Sequence, residues 1–280
     1  MLAERQPSFS LTIETDRYLA VSSKVDTSDI DWSLAKQHFL SDDEIFILNY
    51  FSDIEHQTIV YFRDLLKTKA ALESDVIAFL TMWNYEEFFH GKELGRLLIE
   101  SGHSPDKERI SNVRKKTSLS EKLEAGAASV LSAVFYNEFP ALYTAWGAVQ
   151  EITTLRAYEE LGRLTENPIL KILCERIAKQ ERRHFAWYFN TAKDRLSASK
   201  KAQWLTKNLL NYFWSPVGAG VKTKPEVARI ISLLFPGDIA VKVGEEIDSK
   251  IRTLPGLAGV NLMSRYMRES VETYRKCVVN

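Results

Sequence analysis

The chain has 280 residues and a mass of 32.1 kDa, enough to bury a sizeable core without disulfides or metals as staples. Apolar residues make up 45% and charged residues 26%, which is too apolar for an intrinsically disordered chain. Lys+Arg and Asp+Glu both total 37, so no overall field would recruit nucleic acid or an anionic membrane.

Two cysteines, Cys174 and Cys277, cannot make a disulfide framework, and a reducing cytoplasm fits them best. Met1 to Ser10 carries Glu4 and Arg5 and lacks the apolar run of a signal peptide. With only 12 Gly and 8 Pro, the sequence leaves room for long uninterrupted helices.

Residues 1–40 read as an irregular, acid-rich segment, with Asp26, Asp29 and Asp31 ahead of Trp32. Ser41 followed by Asp42, Asp43 and Glu44 starts a helix: a capping hydroxyl, carboxylates in the positive first turn, and the spacing of a capping box. That helix runs to about Lys67, with Ile45, Leu48, Ser52, Glu55, Ile59, Phe62 and Leu66 on one stripe. A second helix spans about Ser74 to Glu100 and is closed by Ser101-Gly102. Its stripe contains Leu80, Trp83, Glu87, His90, Leu94 and Leu98.

Lys107 to Lys122 reads as a basic connector, and two helical segments follow, Lys122 to Asn137 and Ala141 to about Leu164, divided at Pro140. The stretch from Ala125 to Gln150 is the least charged, but Asn137, Glu138, Pro140 and Gly147 interrupt it, so a buried helix pair is expected there rather than a membrane span. Asn167-Pro168 starts a helix to about Asp194, with Leu170, Leu173, Ile177, Glu181, His184 and Tyr188 in register. After Ser215-Pro216 the pattern weakens, although Glu226 to Leu234 and Asn261 to Cys277 remain helical. The fold class expected is all-α: a four-helix bundle over residues 41–195, with a helical extension at 196–280 packed on the same domain.

The inward stripes of the four long helices contain acids, which cost several kcal/mol to bury as ions unless something positive compensates them. Glu87 and His90 lie three residues apart, as do Glu181 and His184, so each pair projects from one helical face and can bind one cation. The other two helices supply Glu55 and Glu151, with Asp53 a rival to Glu55. In chain order the set reads Glu, Glu-x-x-His, Glu, Glu-x-x-His, the di-iron carboxylate pattern of ferritin-like bundles. Glu100-Ser-Gly-His103 has the same spacing but sits at a helix end without partners. Four carboxylates and two neutral imidazoles would balance two divalent ions, and mixed oxygen and nitrogen donors suit Fe(II) or Mn(II).

At these residues the chain resembles the soluble acyl-acyl-carrier-protein desaturases, over roughly Ser41 to Asp194. The segments that carry the resemblance are Glu86-Glu87-Phe88-Phe89-His90-Gly91, Gln150-Glu151-Ile152-Thr153-Thr154 and Ile177-Ala178-Lys179-Gln180-Glu181-Arg182-Arg183-His184. Phe89 stands where that family usually has Arg. Gln180 stands where it usually has Asp, a partner of metal-bound histidine, and a neutral amide there would tune basicity and electron entry differently.

The resemblance implies two iron ions bridged by Glu87 and Glu181, capped by Glu55 and His90 on one side and by Glu151 and His184 on the other. It implies O2 as oxidant, an acyl chain on acyl carrier protein, a ferredoxin-like electron donor, a homodimer, and Thr154 as a proton relay. Trp83, Phe51, Trp146, Leu80 and Tyr188 are candidates for an acyl tunnel, and Arg114, Lys115 and Lys116 for docking an acidic carrier. Two other outcomes remain open on the same residues: an oxygenase that hydroxylates a C–H bond or oxidises an amine, and a ferritin-like iron-binding protein.

Overall fold

A computed structural model of the chain describes residues 11–103, 133–216, 218–219 and 221–279. Among the described residues every regular element is a helix and there are no strands. The elements are α1 (Ile13–Val21), α2 (Asp42–Leu65), α3 (Ser74–Glu100), α4 (Phe139–Leu164), α5 (Pro168–Ala198), α6 (Lys200–Phe213), α7 (Lys224–Leu234), α8 (Asp238–Ile251) and α9 (Met263–Val279). None of these helices is long and apolar enough to cross a membrane.

The four longest, α2 to α5, form the bundle. Glu55 lies against Gly91 while Tyr61 meets Trp83, so α2 and α3 are antiparallel. By the same logic α3 and α5 are antiparallel, with Phe79 on Trp187 and His90 on Gln180. So are α4 and α5, with Tyr143 on Tyr188 and Glu151 beside His184. The order is therefore up, down, down, up, with α3 and α4, consecutive among the described bundle helices, running parallel. That connectivity is ferritin-like. Two glycines let these helices approach closely. A Cβ on Gly91 would lie 2.4 Å from His56 Nδ1, and one on Gly147 would lie 2.4 Å from the Tyr188 ring.

Local sequence fixes the helix ends. Ser41 Oγ accepts from Glu44 N at 3.2 Å while Ser41 N donates to Glu44 Oε2 at 2.7 Å, so the expected capping box forms. Asn167 Oδ1 accepts from Ile169 N and Leu170 N, both at 3.0 Å, and Pro168 fills the first position of α5. A turn at 135–138 separates helical residues 133–134 from α4, so the expected division falls just ahead of Pro140. Pro140 itself sits in the first turn of α4, where a missing N–H costs nothing.

Residues 11–40 correct the expectation of an irregular N-terminal segment. α1 is a nine-residue helix capped by Thr12, and a short 3-10 turn covers Trp32–Lys36. α1 carries no apolar stripe to reveal it, because Ile13 and Val21 face solvent and its buried residues are Thr15 and Tyr18. Polar contacts dock it: Trp187 Nε1 donates to Thr15 Oγ1 at 3.0 Å, and Thr12 N donates to Asp75 Oδ1 at 2.8 Å. The expected helices at 226–234 and 261–277 are α7 and α9. α6 and α8 add two more, and α5 runs to Ala198. The expected connector at 107–122 and most of the helical segment after it lie outside the described residues.

Asp248, fully buried in α8, organises the C-terminal part. Its carboxylate accepts from Leu262 N at 3.1 Å, Met263 N at 3.0 Å, Ser264 N at 2.9 Å and Ser264 Oγ at 2.7 Å, closing the start of α9. Replacing Asp248 by Ala would leave three backbone donors buried without an acceptor. The expected cost is about 2–4 kcal/mol, read as a lowered urea midpoint, with Asp248→Asn losing less.

Candidate metal centre

Six side chains converge on the bundle axis at mid-height: Glu55 from α2, Glu87 and His90 from α3, Glu151 from α4, and Glu181 and His184 from α5. All are buried, and His90, Glu181 and His184 have no exposure at all. They form two overlapping sets, Glu55-Glu87-His90-Glu181 and Glu87-Glu151-Glu181-His184, each with one donor atom per residue within 4.8 Å of the others. Glu87 and Glu181 belong to both.

Both imidazoles turn Nδ1 inward. His90 Nδ1 is 3.1 Å from Glu181 Oε1, 3.8 Å from Glu55 Oε2 and 3.9 Å from Glu87 Oε1. His184 Nδ1 is 3.1 Å from Glu87 Oε1, 3.2 Å from Glu181 Oε2 and 3.4 Å from Glu151 Oε2.

The electrostatics of the cluster call for cations. Burial and the neighbouring Glu55 and Glu181 push the Glu87 carboxyl well above the usual range. Burial also raises Glu151, to about 8. Burial would lower both histidines, but Glu181 and Glu55 outweigh it at His90, held at about 10, and Tyr18 with Glu151, Glu181 and Glu86 outweigh it at His184, held well above its ordinary value. Glu87 Oε1, His90 Nδ1 and Glu181 Oε1 are buried without a hydrogen-bond partner, a costly condition that a metal ion would relieve. Glutamate oxygens and imidazole nitrogens in this arrangement fit a pair of divalent ions of the Fe(II) or Mn(II) kind.

A further layer of residues fixes this geometry. His90 Nε2 donates to Gln180 Oε1 at 2.8 Å, so Gln180 stands where the sequence placed it. His184 Nε2 donates to Glu86 Oε2 at 2.8 Å. Sequence reasoning passed over Glu86, although the Glu86-Glu87 doublet held the signal: neighbours on a helix diverge by about 100°, so one faces the metal while the other can back a histidine. Glu86 also accepts from Tyr18 OH at 2.7 Å, Ser23 N at 3.0 Å and Arg183 Nη2 at 2.9 Å. Burial alone would raise its carboxyl, but His184, Tyr18 and Ser23 bring it down to about 2.

Tyr158 OH donates to Glu55 Oε1 at 2.5 Å, and Trp83 Nε1 donates to Glu151 Oε1 at 3.1 Å. Trp83 therefore orients a carboxylate, a more specific task than lining a tunnel.

Other expected residues fall as follows. Asp53 is paired with Lys222 at 2.5 Å and stands outside both clusters, and Glu100 pairs with Arg96. Thr154 is half-buried and makes no side-chain hydrogen bond among the described residues, whereas its neighbour Thr153 bonds back to Val149 O at 2.7 Å. Phe51, Leu80 and Tyr188 are buried, and Trp146 is half-buried. The Phe51 ring packs on Tyr158 at 4.9 Å, and Tyr188 OH shares a hydrogen bond with Tyr143 OH at 2.7 Å. Arg114, Lys115 and Lys116 lie outside the described residues.

Divalent ions that bind only the folded cluster should stabilise the protein. Fe(II) or Mn(II) at 100 times its dissociation constant is expected to add about 2.7 kcal/mol, read as a raised Tm under anaerobic conditions. Glu87→Gln, which alters a residue common to both sets, is expected to abolish most of that rise.

The sequence model of the fatty acid desaturase family matches residues 56–208. The match takes in five of the six clustered residues and begins one position after Glu55. Comparisons with curated proteins and with solved structures return no match. The family match covers more than half of the sequence and falls on the helices that build the buried cluster, and the chain belongs to the fatty acid desaturase family.

Proposed function

We propose that the protein is an oxygen-dependent di-iron desaturase that introduces a double bond into an acyl chain carried on acyl carrier protein. The observation that carries this reading is the pair of buried clusters sharing Glu87 and Glu181, inside a segment that matches a desaturase family. Iron bound there would supply oxygen activation and the oxidising power to remove hydrogen from unactivated C–H bonds, chemistry beyond side-chain acids and bases. Glu87 and Glu181 would bridge the two positions. Glu55 and His90 would complete one, and Glu151 and His184 the other.

The overall balance takes adjacent CH2 groups, O2, two electrons and two protons to a carbon–carbon double bond and two waters. Thr154 is one turn beyond Glu151 on α4, and its uncommitted hydroxyl suits it to pass protons at Oγ. Phe51, Leu80, Trp83, Tyr188 and Trp146 would surround the acyl chain and keep water out. A ferredoxin-like donor would deliver the electrons. A homodimer in the cytoplasm, with the basic run Arg114-Lys115-Lys116 facing an acidic carrier, completes the reading.

The direct test is a single turnover of iron-loaded, reduced protein with O2 and a panel of acyl-carrier-protein thioesters, read by mass spectrometry. A product two mass units lighter is expected. A gain of sixteen would move the assignment to an oxygenase on the same residues. Iron uptake with no acyl product on any chain length would favour an iron-binding role. In the same assay Thr154→Val is expected to retain iron while product formation falls about 100-fold, the scale of a lost proton-transfer group.

A further inference from the structure

The two histidines of the cluster are backed differently. The Gln180 amide is oriented by two acceptors on its nitrogen side, with Nε2 donating to Ser23 O at 2.8 Å and to Glu86 Oε1 at 3.4 Å. Its oxygen must therefore face His90, which donates Nε2–H to it and leaves Nδ1 for a metal. His184 makes the corresponding bond to a carboxylate, that of Glu86. A carboxylate acceptor pulls the N–H proton outward, raises electron density on the ring and strengthens the metal–nitrogen bond. A neutral amide fixes the ring just as well but adds little donor strength. The remaining donors do not restore the balance, because the two bridging glutamates are common to both positions and each position adds one further glutamate.

Those capping glutamates widen the difference. Glu55 Oε1 is engaged by Tyr158 OH at 2.5 Å, whereas Glu151 Oε1 holds the longer 3.1 Å bond from the Trp83 indole. A phenol O–H is a more acidic donor than an indole N–H and draws more charge from the carboxylate it engages. Both the histidine and the capping glutamate are thus weaker donors on the Glu55 side.

We infer that the two metal positions are unequal by construction: the Glu151-His184 position fills first and holds its ion more tightly, and Gln180 sets the weaker affinity of the Glu55-His90 position. Gln180 acts through His90 and is a positioning residue. The inference rests on the dinuclear reading above and specifies how that site loads.

The test uses the full chain, stripped of metal and titrated with Co(II), whose visible ligand-field bands report each binding step without any turnover. Wild type is expected to show two steps whose dissociation constants differ by about tenfold or more. Glu55→Gln should keep the tight step and lose the weak one, and Glu151→Gln should lose the tight step. Gln180→Glu should tighten the weak step by about tenfold, with circular dichroism confirming the fold. Should that variant not fold, Glu86→Gln tests the same difference from the other side, with the tight step weakening by about tenfold.

Two equal steps in wild type, a tight step that survives Glu151→Gln, or a weak step unmoved in folded Gln180→Glu would each overturn the inference while leaving the dinuclear site standing. No Co(II) uptake at all would remove the dinuclear reading, and this inference with it.

Discussion

Everything in the bundle is arranged around four glutamates that would repel one another in a dry interior. Like charges a few ångströms apart in a medium of low polarity cannot all stay ionised without a cation among them. Burial and the neighbouring carboxylates push the Glu87 and Glu151 carboxyls up, and the charges around them push both histidines up, so the cluster favours added positive charge. Partnerless atoms such as Glu87 Oε1 and His90 Nδ1 show that this arrangement satisfies the site incompletely. Close helix approach is part of the same design. Gly91 lets α2 come against α3 beside Glu55, and Gly147 makes room for Tyr188 one turn from Glu151.

The layer outside the cluster divides its work by helix. The two Glu-x-x-His helices, α3 and α5, are cross-linked by Glu86, which ties Tyr18 and Ser23 to Arg183 and His184. The N-terminal segment is therefore a structural component of the site. Tyr18 reaches the histidine layer through one carboxylate, and the Ser23 carbonyl orients the Gln180 amide. The helices with a single clustered glutamate are steadied within the bundle instead, Glu55 by Tyr158 and Glu151 by Trp83.

Residues that obey a short-range rule were legible in the sequence, and those that depend on a distant partner were not. The spacing of three in Glu87-His90 and Glu181-His184 forces both side chains to one helical face whatever else the chain does, and the same holds for the capping box at Ser41. α1 was not legible because its inward face is Thr15 and Tyr18, whose partners Trp187 and Glu86 lie 172 and 68 positions away. Asp53 looked as good a candidate as Glu55 until Lys222, from the far end of the chain, was seen to neutralise it. Gln180 was legible as a departure from the family pattern, but not the carboxylate on the other histidine against which its effect is measured.

The C-terminal third meets the bundle chiefly on the two single-glutamate helices, although Lys250 also lies over the Phe189 ring of α5, 4.6 Å from its centroid. Lys222 pairs with Asp53 and Arg229 with Asp43 on α2, while Ser215 O accepts from Gln150 and Glu246 pairs with Arg156 on α4. On α3 and α5 the histidine-bearing face is covered by the N-terminal segment instead. The two coverings thus hold opposite sides of one kernel. Residues 209–280 lie beyond the family match, yet none of the side chains they supply enters either cluster. Divergence there can alter how α2 and α4 are held from outside without changing a single donor atom. The donor atoms of both clusters therefore come from within the family match or, for Glu55, from one position before it.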